Sequence, residues 1–193
     1  GGGPQGEPGG VRAERKVLYL FSGPAERHDG IPALLKALGI KCDAIDVCNQ
    51  PSQPDGSFDL SVDAVWERLL KALDEGEYTA VIASPECRTF SRALGKGDGP
   101  RALRTKAMPY GKPKKSREHP DGLEPSEVET LRRGNFFAVK TAQFLERART
   151  LGVPFVFENP EPHPEAASMF DLDCYVELAS KPGVHTADFD QCT

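Results

Sequence analysis

Short apolar runs alternate with helix-like patterns along most of this chain. Four runs are typical of strands buried on both faces of a sheet, at 16–21, 41–47, 78–83 and 153–157. Apolar residues at helical spacing lie between them, at 31–38, 62–73 and 127–151. Because strands and helices alternate, the sequence predicts an α/β fold with a mostly parallel sheet and helices on both faces.

The chain of 193 residues suits one domain with a full hydrophobic core. We expect residues 1–14 to be a flexible linker or an expression remnant, and the domain to span 15–193. Residues 92–125 hold many Gly, Pro and basic residues without a sustained period, which predicts a long, functional or disordered loop. Weaker patterns near the end predict short strands at 174–178 and near 187–189.

The cysteines and the hydropathy indicate the compartment. No apolar run approaches the roughly 20 residues of a membrane span, and no signal-peptide pattern opens the chain. We therefore expect an intracellular protein, nuclear if eukaryotic and otherwise cytoplasmic. The five cysteines form no CxxC pair, so free thiols are expected rather than a disulfide framework or a zinc site.

The charge is unevenly distributed. The net charge is −5, yet residues 101–117 carry seven cations and no acid, which leaves −12 for the rest of the chain. Such a basic strip predicts contact with the phosphate backbone of a nucleic acid, and a solvated loop is the alternative. Its cations are Arg101, Arg104, Lys106, Lys112, Lys114, Lys115 and Arg117.

Polar residues follow several of the predicted strands. In a parallel sheet the carboxyl ends of the strands share one edge, where ligands bind. Gly23 would let the backbone approach a ligand closely, and Asp46 would accept hydrogen bonds from ribose hydroxyls. Cys87 is a candidate nucleophile, and Glu158 ends a later strand. Each of these residues has a plainer alternative. Gly23 would be a turn glycine and Asp46 a turn cap. Cys87 would be a small buried hydrophobic residue and Glu158 a loop carboxylate.

The order of these motifs resembles that of the DNA (cytosine-5) methyltransferases, over roughly residues 16–160. The resemblance is carried by Phe21-Ser-Gly23, the acid after the second strand, Pro85-Glu-Cys-Arg-Thr-Phe-Ser91 and Phe157-Glu-Asn-Pro160. Residues 134–140 resemble the helix that precedes the Glu-Asn motif of the family. Residues 188–192 are weakly similar to methyltransferase-like domains of mobile-element and viral polyproteins.

The resemblance implies a Rossmann-like methyltransferase fold and a specific reaction. Cys87 would add to C6 of a cytosine flipped out of DNA, and a methyl group would pass from S-adenosylmethionine to C5. Glu158 would contact N3 and the exocyclic amine, and Asn159 would hold the loop of Glu158. The implied cofactor contacts are Phe21, Gly23, Asp46, Asp59 and Pro85. The implied nucleic-acid contacts are Arg88, Ser91, Arg101, Arg104, Lys112, Lys114 and Lys115.

Three departures from the family pattern keep alternatives open. Pro24 and Ala25 leave the second glycine of the cofactor turn missing. Glu86 replaces a proline and would raise the pKa of the Cys87 thiol, which Arg88 could offset. Only 33 residues follow Pro160, without a Gln-x-Arg-x-Arg motif or a target-recognition domain.

We therefore expect an incomplete domain of a longer polypeptide, or a reduced relative that has lost activity. The main alternative is a catalytically silent methyltransferase-like module that binds nucleic acid or a protein partner. The other is a different nucleotide-handling α/β enzyme in which Cys87 is structural.

Overall fold

The computed structural model describes residues 15–50, 56–90, 100–162, 164 and 166–188. Within them, four strands form one parallel sheet in the order β2-β1-β3-β4. This confirms the predicted α/β class and the parallel sheet. The strands are β1 (Lys16–Leu20), β2 (Lys41–Ile45), β3 (Ala80–Ala83) and β4 (Phe155–Phe157).

Four helices accompany the sheet in the described part of the chain. The first three each connect one strand to the next, as predicted. Since such crossovers are almost always right-handed, α1 lies on one face of the sheet, and α2 and α3 lie on the other. The helices are α1 (Ile31–Ala37), α2 (Asp63–Asp74), α3 (Pro125–Thr150) and α4 (Asp173–Ala179).

The main core lies between the sheet and the α2–α3 layer. Leu18 of β1 is level with Val81 of β3, and both side chains are fully buried there. From α2, Trp66 inserts into the same cluster, where its ring contacts Phe144 of α3 at 6.1 Å between centroids. Burial of each large side chain contributes about 1.5–3 kcal/mol, so this layer dominates the stability of the fold.

Helix α1 covers its face of the sheet loosely. None of its residues is buried, and Leu34 and Leu38 are largely exposed. Pro32 lies in the first turn of the helix and Gly39, at a φ of 69°, follows its end, as the sequence predicts. The helix therefore connects two strands without adding much to the core.

Helix α3 is the longest element, and its first turn is fixed by side chains. Glu124 and Glu127 form a reciprocal capping box. The carboxylate of each residue accepts a hydrogen bond from the backbone N–H of the other. Pro125 occupies the first turn, where the missing N–H costs nothing. The helix begins two residues before the predicted start and ends one residue before the predicted end.

The prediction of a strand at 174–178 is wrong, because these residues belong to α4. Tyr175 and Leu178 are buried three residues apart, while Val176 is exposed, which is a helical pattern. The hydroxyl of Tyr175 donates to the carbonyl of Ala138 in α3 at 3.0 Å. A short apolar run fits both periods, and only this tertiary packing decides between them. Near 187–189, residues 187 and 188 are not strand, and 189 lies outside the described residues.

Residues 100–124 run across α3 without a helix of their own. Two isolated bridges shape them, Thr105 with Met108 and Lys114 with Leu123. Leu103 and Leu123 bury against Leu131 of α3 in a second, small apolar cluster. This part of the predicted long loop is thus anchored on the domain. None of the helices in the described ranges combines the length and the apolar character that crossing a bilayer requires.

Candidate functional site

A cavity of about 330 Å³ opens at the carboxyl edge of the sheet. The strand order reverses between β1 and β3, and this switch point is where ligands bind in open α/β sheets. Residues that follow β1, β2 and β3 form the cavity together with α3 and the loop before α2. Its lining is Phe21, Gly23, Asp46, Val47, Phe58, Asp59, Leu60, Ser84, Glu86, Arg133 and Phe137.

The cavity gathers four of the five residues assigned to the cofactor. Phe21, Gly23, Asp46 and Asp59 all line it, although they are spread over three loops. Pro85 does not line the cavity, and it is buried.

Phe21 has an unusual backbone at the mouth of this cavity. Its φ of 58° is in the left-handed region, which bulky residues rarely adopt. Two contacts hold it there: the ring meets Phe137 edge-on at 5.1 Å, and the N–H donates to the carbonyl of Ile45 at 2.9 Å. Such maintained strain is concentrated at functional sites, which agrees with the location of Phe21.

The turn after β1 is held by two side chains that follow β2. Asp46 accepts from the N–H groups of Gly23 and Cys48, each at 3.1 Å. Asn49 accepts from the N–H of Ala25 at 2.8 Å and donates to the carbonyl of Gly23 at 2.9 Å. The turn is therefore fixed by side chains, in a chain where Pro24 and Ala25 replace the glycine of the family pattern.

Negative charge predominates around the cavity. Three carboxylates line it, against the single guanidinium of Arg133. Asp59 is oriented by accepting from the N–H and the hydroxyl of Ser61, at 2.9 and 2.7 Å. Aromatic rings and carboxylates together suit a flat, hydroxyl-bearing or cationic ligand. The carboxylates are Asp46, Asp59 and Glu86.

The two loops that carry the predicted catalytic residues are tied together. The N–H of Glu158 donates to the carbonyl of Ala83 at 2.9 Å, which extends the pairing of β3 with β4. Asn159 Nδ2 donates to the carbonyl of Pro85 at 3.3 Å, two residues before Cys87. Asn159 Oδ1 is buried and has no hydrogen-bond partner among the described residues. Asn159 thus connects the loops of Glu158 and Cys87.

The Cys87 thiol lies half-buried in a turn. Burial raises the pKa of this thiol most, a backbone hydrogen bond lowers it by less, and the negative charges of Glu158 and then Glu86 raise it further. From the sequence alone, the effects of Glu86 and Arg88 on the pKa of this thiol could not be compared. Because the pKa is raised in the structure, the neutral thiol is the dominant form at pH 7.

Arg104 is buried, with 3% of its surface exposed. Its guanidinium donates to Thr89 Oγ1 at 2.9 and 3.1 Å, to Asn135 Oδ1 at 2.7 Å and to the Pro109 carbonyl at 2.6 Å. It also lies 3.8 Å above the Phe90 ring. Burial lowers the pKa of Arg104 to about 10, which leaves it charged at pH 7.

This placement corrects the expectation that Arg104 contacts nucleic acid. A guanidinium enclosed by protein acceptors is not exposed to a phosphate backbone. Arg104 instead joins the segment that carries Cys87 (residues 84–90, the Cys87 loop) to residues 100–124 and to α3.

Other members of the basic strip are also engaged within the protein. Arg101 pairs with Glu127, and Lys115 pairs with Glu124 at 2.5 Å. Lys112 and Lys114 form no ion pair with any described residue. Arg88 is exposed beside Cys87, and Ser91 lies outside the described residues.

The sequence predictions missed several residues of this site, among them Asn49, Phe137 and Arg133. Asn49 follows the acid of β2 by three residues in a polar loop, and this amide type commonly fixes turns. Phe137 and Arg133 lie four residues apart on α3, and the guanidinium stands 5.2 Å from the ring centroid. A helical residue assigned to the core can also face a cavity, which periodicity alone does not distinguish.

Gly134 allows the close approach of α3 to the Cys87 loop. A Cβ atom there would lie 2.9 Å from Thr89 Oγ1 and 3.0 Å from Arg104 Nη2. In an exposed helix Gly→Ala stabilises by about 1 kcal/mol. We expect Gly134→Ala to destabilise the protein by roughly 1–3 kcal/mol instead, because the contact overpacks the interface. Urea unfolding measures this, and a stabilised variant would contradict the described packing.

Cys87 should be alkylated slowly by iodoacetamide at pH 7, at a rate that keeps rising through pH 9, because only the thiolate reacts. Glu86→Gln removes one of the charges that raise the pKa, so it should shift the rate profile to lower pH. Peptide mass spectrometry reports each cysteine separately, and Cys174, which is also half-buried, is the internal control. A profile that is flat between pH 6 and 9 would refute a raised pKa.

Comparison of the chain with protein-family models, with curated proteins and with solved structures finds no match in any of the three. Inference about function therefore depends on the residues of this chain and on the geometry described above.

Proposed function

We propose that this chain is a DNA cytosine-5 methyltransferase-like domain with a Rossmann-like methyltransferase fold, which binds S-adenosylmethionine in the cavity at the sheet edge. One observation carries the proposal. Residues assigned to the cofactor from sequence motifs alone line one cavity, and the Glu86 of the Cys87 loop lines it too.

The cavity fits the chemistry of this cofactor. Its volume of about 330 Å³ is at the lower end of the range for small-molecule sites. Phe21 and Phe58 offer apolar surface to a purine, and the carboxylates offer acceptors to ribose hydroxyls and compensation to a sulfonium charge. A Cβ at Gly23 would meet no atom within 4 Å, so the turn is open beside it. When bound, the cofactor supplies an electrophilic methyl group.

The residues at the sheet edge would act on a cytosine in successive steps. The sulfur of Cys87, as thiolate, would form a bond to C6, and the electron pair displaced to C5 would take up the methyl group that the cofactor supplies, with the cofactor sulfur leaving as a neutral thioether. A solvent base would then remove the C5 proton, and the electron pair of the C5–H bond would re-form the C5–C6 double bond and expel the Cys87 thiolate. Glu158 would stabilise the charge that develops at N3 and the amine. Asn159 keeps both loops in register through the carbonyl of Pro85.

A silent methyltransferase-like module is the second candidate, and the raised pKa of Cys87 favours it. Burial and two carboxylates oppose thiolate formation, and Glu86 is the residue that departs from the family pattern at this position. The cavity would then serve as a ligand sensor or as a remnant, and DNA or a protein would be the partner.

Calorimetric titration should detect binding of S-adenosylmethionine. Asp46→Asn should weaken it about tenfold, since hydrogen bonds to a charged acceptor contribute roughly 1.5–3 kcal/mol. Asp74→Asn is the matched control, because Asp74 pairs with Arg147 away from the cavity. Absence of binding, or equal weakening by both variants, would refute the cavity as the cofactor site.

DNA that contains 5-fluorocytosine should form a covalent adduct with the chain in the presence of S-adenosylmethionine. Fluorine cannot leave C5 as a proton does, so the C6–sulfur bond persists. Cys87→Ser should abolish the adduct, and Cys174→Ser should not. Gel mobility and peptide mapping measure it. Cofactor binding without an adduct would establish the silent module, and an adduct that survives Cys87→Ser would refute the nucleophile.

A further inference from the structure

A second, smaller cavity borders the Cys87 loop. Its volume is about 90 Å³, well below the range of sites that hold drug-sized molecules. It therefore has room for a small group rather than for a nucleobase with its sugar. Its lining is Glu86, Arg88, Thr89, Thr130, Arg133 and Gly134.

Two guanidiniums at this cavity have no carboxylate partner among the residues that the structure describes. Neither Arg88 nor Arg133 forms an ion pair with a described residue, and Glu86 is not within 4.0 Å of either charge. The neighbouring Arg132 differs, since it pairs with Glu129 at 2.7 Å. The lining thus carries two cations and one anion, and neither cation forms an ion pair with a described residue.

Thr89 adds a hydroxyl donor whose direction is constrained. Only 7% of Thr89 is exposed, and its oxygen accepts two N–H bonds from Arg104. A hydroxyl has two acceptor sites and one proton, so only the donor remains for another partner. Thr89 donates to no acceptor in the described part of the chain. Thr130 differs, because its hydroxyl donates to the Ser126 carbonyl at 3.0 Å.

These donors match one ligand class. Arginine presents a planar fork of N–H groups that fits the oxygens of a phosphate, and hydroxyl donors complete such sites. We propose that the small cavity binds a phosphate group through Arg88, Arg133 and Thr89. On the proposed function, this phosphate belongs to the DNA strand whose cytosine reaches Cys87, so Arg133 fixes the strand beside the nucleophile.

The test compares two adjacent arginines of α3. Binding of a fluorescent 12-nucleotide single-stranded DNA is measured by anisotropy at several KCl concentrations. Arg133→Gln should weaken binding about tenfold and lower the slope of log K against log salt by about 0.7, the value of one lost phosphate contact. Arg132→Gln changes the net charge equally and should have a much smaller effect. Arg133→Lys should recover part of the affinity, because it restores charge without the fork.

A second ligand separates the sources of the phosphate. Deoxycytidine 5′-monophosphate is titrated by calorimetry against the same variants. Loss of DNA binding alone in Arg133→Gln identifies a backbone phosphate, whereas equal loss of the nucleotide identifies a free nucleotide phosphate. Both results support the phosphate site. Equal effects of Arg132→Gln and Arg133→Gln on both ligands would overturn it, as a purely general charge effect.

Binding of S-adenosylmethionine to the same variants is the third measurement, because Arg133 also lines the larger cavity. If Arg133→Gln removes binding of this cofactor and leaves DNA and nucleotide binding unchanged, the guanidinium serves the cofactor carboxylate and the phosphate site is refuted. The proposed methyl transfer fails separately, through absence of the fluorocytosine adduct. A selective loss of DNA binding in Arg133→Gln would support the phosphate site even if no adduct forms.

Discussion

The buried guanidinium of Arg104 is the interaction on which the site geometry depends. A charge removed from water is costly unless every donor finds an acceptor, and no carboxylate of the described residues neutralises this one. A hydroxyl, an amide and a carbonyl from three different segments satisfy it, and the Phe90 ring covers one face. Loss of one segment would leave the charge underpaired, so the Cys87 loop, residues 100–124 and α3 are held together as a unit.

The sequence predicted the fold well where the spacing of apolar residues clearly followed the period of a strand or of a helix. Buried runs and helical spacing gave the four strands and the first three helices within a few residues, since their periods and stops are local signals. The prediction for the segment 174–178 failed because so short a run fits both periods, and the Ala138 carbonyl on which it packs lies 37 positions away in the chain.

The candidate site was predictable to a different degree. The residues at the strand ends converge because a parallel sheet brings them to one edge, which the sequence order already implies. Arg104 could not be placed correctly, because a cation in a basic stretch gives no local sign of burial. Asn49, Phe137 and Arg133 were missed since their roles depend on how the turn after β1 and the face of α3 meet. The charge pattern at this edge, with Asp46 and Asp59 on the larger cavity, Arg88 on the smaller one, and Glu86 and Arg133 on both, emerges only in three dimensions.

The half-buried, protonated state of Cys87 also bears on the chemical durability of the chain. Peroxide attacks the thiolate, so a thiol whose pKa is raised by burial and by Glu158 enters the oxidation ladder slowly. The same surroundings that restrain its nucleophilicity therefore protect the sulfur from sulfenic and sulfinic acid formation. In these surroundings the Cys87 thiol would therefore react with peroxide more slowly than an exposed cysteine whose pKa is not raised.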